Sequence, residues 1–295
     1  LAYRKFWLVN GQNESYDLTD FFNGALAINP SGLGASAILS LTRLGDSHLA
    51  DSLQWELKDI NLELVFSNSK NNTKAYDQYK KFLAFTSKFP LYLHYQTPDM
   101  AVDSYFKEVL LSNIDKTEIS LDYQTLTCPL TLTPLTLWKA SEETVIEVHS
   151  NRQNGKSYEL NRPYHYAGND IDHIEVNNNS NVSIPFVMEI DGKCEDPTYS
   201  LFDHQLHQYG IGKFLGTFDY VYVNSEDLNE SIQLAENGAF LPNAVSYQDT
   251  SIGTRGQTYL TFLYLAPGKN ILKFTFANNF TGKITIRMRD RYVTV

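Results

Sequence analysis

Residues 125–137 read TLTCPLTLTPLTL, and this stretch decides the fold. Leu126, Cys128, Leu130 and Leu132 fall on alternate positions, with Thr residues and Pro129 between them. A period of two places the apolar set on one face of a β-strand. Pro134 interrupts the run, and Leu135 and Leu137 resume in shifted phase. Proline has no N–H to give to a ladder, so its presence predicts a sheet edge or a bulge.

Toward the N-terminus the same period recurs. Leu91, Leu93 and Tyr95 alternate, and Tyr105–Leu111 and Lys116–Tyr123 read as further strands. Ahead of them Ala75, Tyr76, Tyr79, Phe82, Leu83 and Thr86 recur at three and four. That spacing predicts one amphipathic helix over about 73–88, capped by Asn72 or Thr73 and stopped by Pro90. Leu53, Trp55 and Leu57, then Ile60, Leu62, Leu64 and Phe66, alternate about a phase shift at Lys58–Asp59, as a bent or bulged strand would. Tyr3–Val9 reads as a strand that turns near Gly11 into a short partner around Tyr16 and Leu18. Asn29–Gly34, NPSGLG, reads as a shaped loop. Gly34–Asp51 has a weak pattern that fits a surface arm or a wide hairpin. Residues 1–140 are therefore expected to form one β-sheet unit with a single helix.

Toward the C-terminus, Trp138–Glu143 reads as a junction, and no long helical period follows it. Val145 and Val148 open a strand expected to turn at Asn154–Gly155. Val182–Ile190 is expected to end at Asp191–Gly192, and Pro197–Tyr209 to be a loop or short helix. Phe214–Val223, Ser231–Ala235, Thr258–Leu265, Asn270–Phe276 and Lys283–Met288 complete the strands, with turns at Pro267–Gly268 and Thr281–Gly282. Many short strands with close turns predict an antiparallel β-sandwich over 141–295 and exclude a parallel sheet with crossover helices.

Composition narrows the class. The chain has 295 residues, 42% apolar and 20% charged, with a net charge of -10. These values exclude a disordered tail, a collagen-like fibre and a basic nucleic-acid-coating protein. Nineteen Tyr and 17 Phe favour pleated sheets. Residues 1–140 carry a net charge of -3 and 141–295 carry -7. Within Lys269–Val295, however, Lys269, Lys273, Lys283, Arg287, Arg289 and Arg291 face Asp290 alone. We read that cluster as a solvated edge strand in preference to a docking face. No run of 18 apolar residues occurs, so no membrane insertion is expected, and Leu1–Val9 lacks the features of a signal peptide. The N-x-[ST] matches at Asn13, Asn71, Asn178, Asn181, Asn229 and Asn279 are chance products of frequent Asn.

Motifs for chemistry are weak. Cys128 and Cys194 read as inert core thiols in preference to a disulfide. His204 and His207, three apart beside Asp203, fit a polar surface turn better than a metal site, which needs three or four close ligands. Glu195–Asp196 beside Tyr199 has no discriminating spacing, and no nucleophile elbow occurs. Gly32–Leu33–Gly34 and Gly210–Ile211–Gly212 lack the strand-to-helix context of a phosphate loop. No enzyme activity, cofactor or metal is expected. The main alternative from composition is a carbohydrate-binding or adhesive β-sandwich using Tyr164, Tyr166, Tyr199, Tyr209, Tyr220, Tyr222 or Trp138, although half or more of these rings must pack a core or interface.

One family joins these pieces in order. Val9-Asn10-Gly11, Tyr16-Asp17-Leu18, the 29–34 loop, the Tyr-rich helix after Asn71 and Leu135-Thr136-Leu137-Trp138-Lys139 run through the first half. Tyr164-His165-Tyr166-Ala167-Gly168, Ile184-Pro185-Phe186, Glu189–Cys194, Pro197, Leu265–Asn270 and Thr281-Gly282-Lys283 run through the second. In this order and spacing the chain resembles the distal tail protein, the baseplate hub, of long-tailed phages infecting Gram-positive bacteria. The resemblance implies a ring-forming N-terminal β domain and a C-terminal galectin-like β-sandwich. It implies a homo-hexamer between the tail-tube protein and the tail-tip protein, with a central channel through which phage DNA passes without specific binding. Receptor-binding or other side proteins would attach to the second domain, and a modest arm would fit at Asp196–Gly212. The place implied is the distal end of the virion tail, after assembly in the bacterial host cytoplasm. A closed ring needs heterologous contacts rich in aromatic and apolar groups; Phe21, Phe22, Leu44 and Trp55 are the expected ring contacts.

Overall fold

The strand Leu126–Pro134 has hydrogen-bonded neighbours on both sides. The computed structural model describes residues 4–21, 25–44, 47–67, 74–98, 103–119, 125–150, 173–226, 229–241, 262–278 and 280–294, with the backbone alone at 44 and 47–54. Phe22, Asn72, Thr73, Asn154–Gly155, Tyr164 and Tyr166 lie outside the described residues. The chain divides into two units, Leu1–Glu142 with Arg291–Val295, and Glu143–Asp290.

The first unit holds β1 (Lys5–Asn10), β2 (Ser15–Asp17), β3 (Leu26–Ser31), β4 (Ala35–Leu44), β5 (Ser47–Leu57), β6 (Ile60–Phe66), α1 (Ala75–Thr86), β7 (Leu91–Gln96), β8 (Tyr105–Ile114), β9 (Leu126–Pro134) and β10 (Trp138–Ala140). Its main sheet runs β2-β1-β7-β8-β9-β6-β3, and all the pairings are antiparallel. Phe6, Leu8, Ile60, Leu62, Leu64, Leu91, Leu93, Val109 and the alternate residues of β9 point to one core. The helix covers that face. Phe82 packs edge-on to Tyr16 at 5.3 Å and lies 5.8 Å from Phe66.

Several expectations change here, each for a local reason. Pro129 is in an interior strand, not at an edge. The carbonyl of Pro129 accepts from Asp115 N–H at 2.9 Å, and a strand residue aims its N and its C=O at the same neighbour. That neighbour, β8, ends at Ile114, so no ladder bond needs the missing proton. A bulge at Ser112 lies close by; the Ser112 hydroxyl donates to Thr131 O at 3.0 Å. The helix is shorter than 73–88, because Lys74 is its N-cap, without a side-chain cap bond, and Ser87 its C-cap. The first half of the expected 29–34 loop, Asn29–Ser31, is strand, and 32–34 are the turn. β3 continues to Ser31 through a register shift, and Gly32 at φ 79 turns where a Cβ would strike Asp59 O. Lys116–Ile119 is irregular, not strand.

The second unit holds β11 (Thr144–His149), β12 (His173–Asn178), β13 (Ile184–Glu195), β14 (Thr198–Phe202), β15 (Gln208–Lys213), β16 (Thr217–Asn224), β17 (Ser231–Glu236), β18 (Ala239–Phe240), β19 (Tyr264–Leu265), β20 (Gly268–Thr275) and β21 (Lys283–Met288). One antiparallel sheet runs β11-β21-β13-β16-β17-β18, with β19 on β13; a second runs β12-β20-β14-β15. Alternate residues of both sheets share one core, with Phe186, Met188, Val221, Leu234 and Ile286 from the first and Val176, Tyr199, Leu201 and Leu272 from the second. Pro197–Tyr209 is not a loop or helix: it is largely the β14–β15 hairpin. Nor does β13 end at Asp191–Gly192. Its register shifts there, and Gly192 at φ 134 lets the strand continue to Glu195.

The last residues group differently from the sequence division. β22 (Arg291–Tyr292) pairs with β10, Trp138 opposite Tyr292, so Arg291–Val295 belong with the first unit and not with the second. Among the described residues no helix is long and apolar enough to cross a membrane.

Candidate assembly surface

Gly34–Asp51, where the sequence pattern was weakest, contributes to the most exposed apolar element of the first unit. β4 and β5 pair from Ala35↔Leu57 to Leu44↔Ser47 as a two-stranded sheet of their own. Ile38, Leu39, Leu41 and Trp55 are 53%, 55%, 52% and 44% exposed. Leu39 and Leu41, two apart on β4, share one face, and Ile38 lies on the other. A lone hairpin is at best marginally stable in water. One that shows apolar residues on both faces gains most by being covered.

The expected ring contacts fall as follows. Trp55 is on β5 opposite Ala37. Leu44 ends β4, with only its backbone described. Phe21 is half-buried in a turn, where its carbonyl accepts from the Ser67 hydroxyl at 2.6 Å. Trp55 and Leu44 thus share the hairpin, while Phe21 is tied to the end of β6. Ile38, Leu39 and Leu41 were not singled out by sequence. The alternation of Leu39 and Leu41 with Ser40 and Thr42 was the available signal.

The face of the main sheet away from α1 carries a row of rings. Register sets Trp7 opposite His94 and His94 opposite Phe106. The rings stack at 4.9 Å and 16°, then 5.4 Å and 25°. Both flat faces of His94, and one each of Trp7 and Phe106, are spent on one another. Lys5 sits over Trp7 at 5.3 Å. His94 Nδ1 is buried without a hydrogen-bond partner. Burial therefore pushes the imidazole down to about 4 from its usual 6.5.

This shift fixes a sign. Between pH 6.5 and about 4 the unfolded chain binds a proton at His94 that the folded chain resists. His94's contribution is therefore complete above pH 6.5 and lost as pH falls toward 4. All three Trp, at 7, 55 and 138, belong to the first unit, so tryptophan fluorescence reports on that unit. Chemical denaturation followed this way is expected to show a steeper loss of stability from pH 6.5 to 4 in the parent chain than in His94→Phe. Superimposable pH profiles would contradict the assignment.

Chemistry is no more evident in the structure than in the sequence. Cys128 and Cys194 are free and buried, and burial pushes the Cys194 thiol up to about 12. His207 Nδ1 lies 3.4 Å from Asp203, and no metal-holding group of three or more such side chains occurs among the described residues. Glu195 accepts from Asn278, while Tyr199 is buried in the core. The C-terminal basic cluster is not on an edge strand, because β20 lies between β12 and β14 and β21 between β11 and β13, and its charges are largely neutralised. Lys269 pairs with Glu175 at 2.7 Å, Lys283 with Glu147 at 3.2 Å, Arg287 with Glu189 at 3.0 Å and Arg289 with Glu143 at 3.4 Å. Of the described sugar-platform candidates, Trp138 and Tyr199 are buried; Tyr209 donates to Asn270 at 2.5 Å.

The described residues are mainly β with one helix and pack two cores, with the β4–β5 hairpin exposed. Residues 5–135 match the family model described as "Distal tail protein, N-terminal domain". Residues 5–135, less than half of the chain, therefore hold the N-terminal domain of the distal tail protein family. Among solved structures it is similar to a chain of the phage p2 baseplate in its activated conformation, with strontium or with calcium. Each match has a TM-score of 0.58 and 16% identity and covers 99% of this chain and 100% of that one. It is also similar to the Dit protein of phage SPP1, described as a paradigm of the hub adsorption apparatus in phages infecting Gram-positive bacteria. There the TM-score is 0.59 and the identity 11%, over 97% of this chain and 98% of that one. No curated protein matches the chain by sequence.

Proposed function

We propose that this chain is the non-enzymatic hub of a phage tail baseplate, a ring of six identical copies at the distal end of the virion tail. The hairpin β4–β5 carries this reading, because Ile38, Leu39, Leu41 and Trp55 stand exposed on an element that pairs with no other strand among the described residues. Each copy's hairpin would lie on its neighbour, a heterologous contact that closes when the rotation per subunit divides a full turn. Phe21, Phe22 and Leu44 would flank the contact. The first unit would form the ring between the tail-tube protein and the tail-tip protein, around a channel that DNA crosses without specific binding. The second unit, read as a galectin-like sandwich from its two sheets around one core, would hold receptor-binding proteins. Assembly would take place in the bacterial host cytoplasm. Electron microscopy of the purified chain tests the reading. Closed rings with an open centre are expected, and a field of single-chain particles at micromolar concentration would overturn it.

A further inference from the structure

Asparagine precedes glycine at 10–11, 23–24, 154–155 and 237–238. The first and last of these pairs lie among the described residues, and the fold treats them oppositely. Asn10 is 1% exposed. Its Nδ2 donates to Glu14 Oε2 at 2.8 Å and to Phe85 O at 3.4 Å, and its Oδ1 accepts from the Gln12 and Glu14 N–H groups. The Gly11 N–H donates to Lys88 O at 3.1 Å, and Phe89 O fills the space a Cβ would take. Asn237 and Gly238 instead form the two-residue turn between β17 and β18, at φ 51 and 75, and both are exposed. The Asn237 side-chain amide has no hydrogen-bond partner among the described residues. A Cβ on Gly238 would meet nothing within 4 Å. β18 lies at the edge of its sheet, paired through Ala235↔Phe240 and Glu236↔Ala239. One further bond holds the turn, from Gly238 N–H to Asp219 Oδ2 at 3.0 Å.

We infer that Asn237 is a site of spontaneous deamidation, gated by the Asp219–Gly238 bond. Water is the only co-reactant. The Gly238 backbone nitrogen attacks Asn237 Cγ and a C–N bond forms. The bond from Cγ to the side-chain nitrogen breaks, and that nitrogen leaves as ammonia with the Gly238 proton. Water then opens the cyclic imide at either carbonyl. The product is aspartate or isoaspartate, whose carboxyl ionises, so the chain gains one negative charge. Glycine permits the attack because it puts no side chain over the nitrogen and leaves the peptide free to rotate. Rotation is required, because the turn holds the N–H toward Asp219, and until that bond breaks the nitrogen cannot approach Cγ. The end of an edge hairpin opens at low cost. Asn10, by contrast, is buried and must give up its bonds to Glu14, Phe85 and Gln12 before it can react. Isoaspartate lengthens the main chain by one carbon in a loop whose register has room for two residues. It therefore frees β18, and with it the Phe240 ring that meets Tyr220 edge to face at 6.0 Å. The reaction does not depend on assembly.

Incubation of the full chain at mildly alkaline pH tests it, with each conversion localised by mass spectrometry of digest fragments. Asn237 is expected to convert at least roughly tenfold faster than Asn10, a difference that one or two extra broken hydrogen bonds supply. Asp219→Ala is expected to speed conversion at 237 by roughly fivefold, the worth of one exposed hydrogen bond. Asp219→Asn keeps an acceptor oxygen and is expected to stay within about twofold of the parent. Conversion of Asn10 at the same rate as Asn237, or an intact amide at 237 after the free peptide 231–241 has fully converted, would overturn the site. Equal rates in the parent chain and in Asp219→Ala would overturn the gate.

Discussion

Leu39→Asp together with Leu41→Asp is expected to reduce the particle mass from that of a ring to that of one chain while leaving both cores folded. The two positions share one face of β4 and are each more than half exposed, so the single chain loses almost no burial when they change. In the proposed ring the same positions would be covered. Each aspartate then places a carboxylate in an apolar contact without a partner, and the effective cost of such a charge is several kcal/mol. Repeated at every contact of a closed ring, that cost is enough to dissociate it at micromolar concentration. Light scattering reads the mass, and circular dichroism reads the fold. A ring of unchanged mass would mean that the hairpin is not the contact.

Trp138→Ala is expected to destabilise the first unit by about 3–5 kcal/mol, the range for truncating a large buried aromatic side chain. Trp138 is fully buried and its Nε1–H donates to Leu33 O at 3.2 Å. Its ring faces the buried Lys107 ammonium at 4.6 Å and lies 6.1 Å from Tyr95. Desolvation already pulls Lys107 down to about 8, so losing the ring removes an attraction from a charge that burial penalises. Trp138 also stands where β10 meets β22, and its loss loosens the strand that brings the C-terminus back to the first unit. Unfolding followed by the fluorescence of Trp7 and Trp55 should show a melting temperature lower by roughly 10 °C. A change under about 1 kcal/mol would contradict the packing described here.

Alternation made most of the sheet strands legible in the sequence. The Leu126–Leu132 run, the 60–66 run and Lys283–Met288 became strands with their apolar sets inward, because a period of two leaves no other face to bury. The helix was legible for the equivalent reason, at a period of 3.6. What the sequence hid depended on partners distant along the chain. Pro129 is tolerated in an interior strand because β8 has already ended beside it, and only the pairing reveals that. The β14–β15 hairpin carries Gly210 and Gly212, and local reading of a Gly-rich segment favours a turn. In the fold Gly212 lies flat against the Tyr199 ring, where a Cβ would collide. Arg291–Tyr292 is too short to read as a strand, and its place is set by β10.

The assembly surface was legible in part. Trp55 was expected from its ring and Leu44 from its apolar character, but Ile38, Leu39 and Leu41 looked like ordinary strand residues. What distinguishes them is that, among the described residues, β4 and β5 pair with no third strand, a property of topology and not of any local pattern.

Light scattering coupled to size exclusion on the purified chain, over a range of concentrations, reads the ring by its mass. Six copies of a 33.6 kDa chain predict a particle of about 200 kDa. A mass of 33.6 kDa that persists at high concentration, with tail-tube and tail-tip proteins also present, would contradict the account.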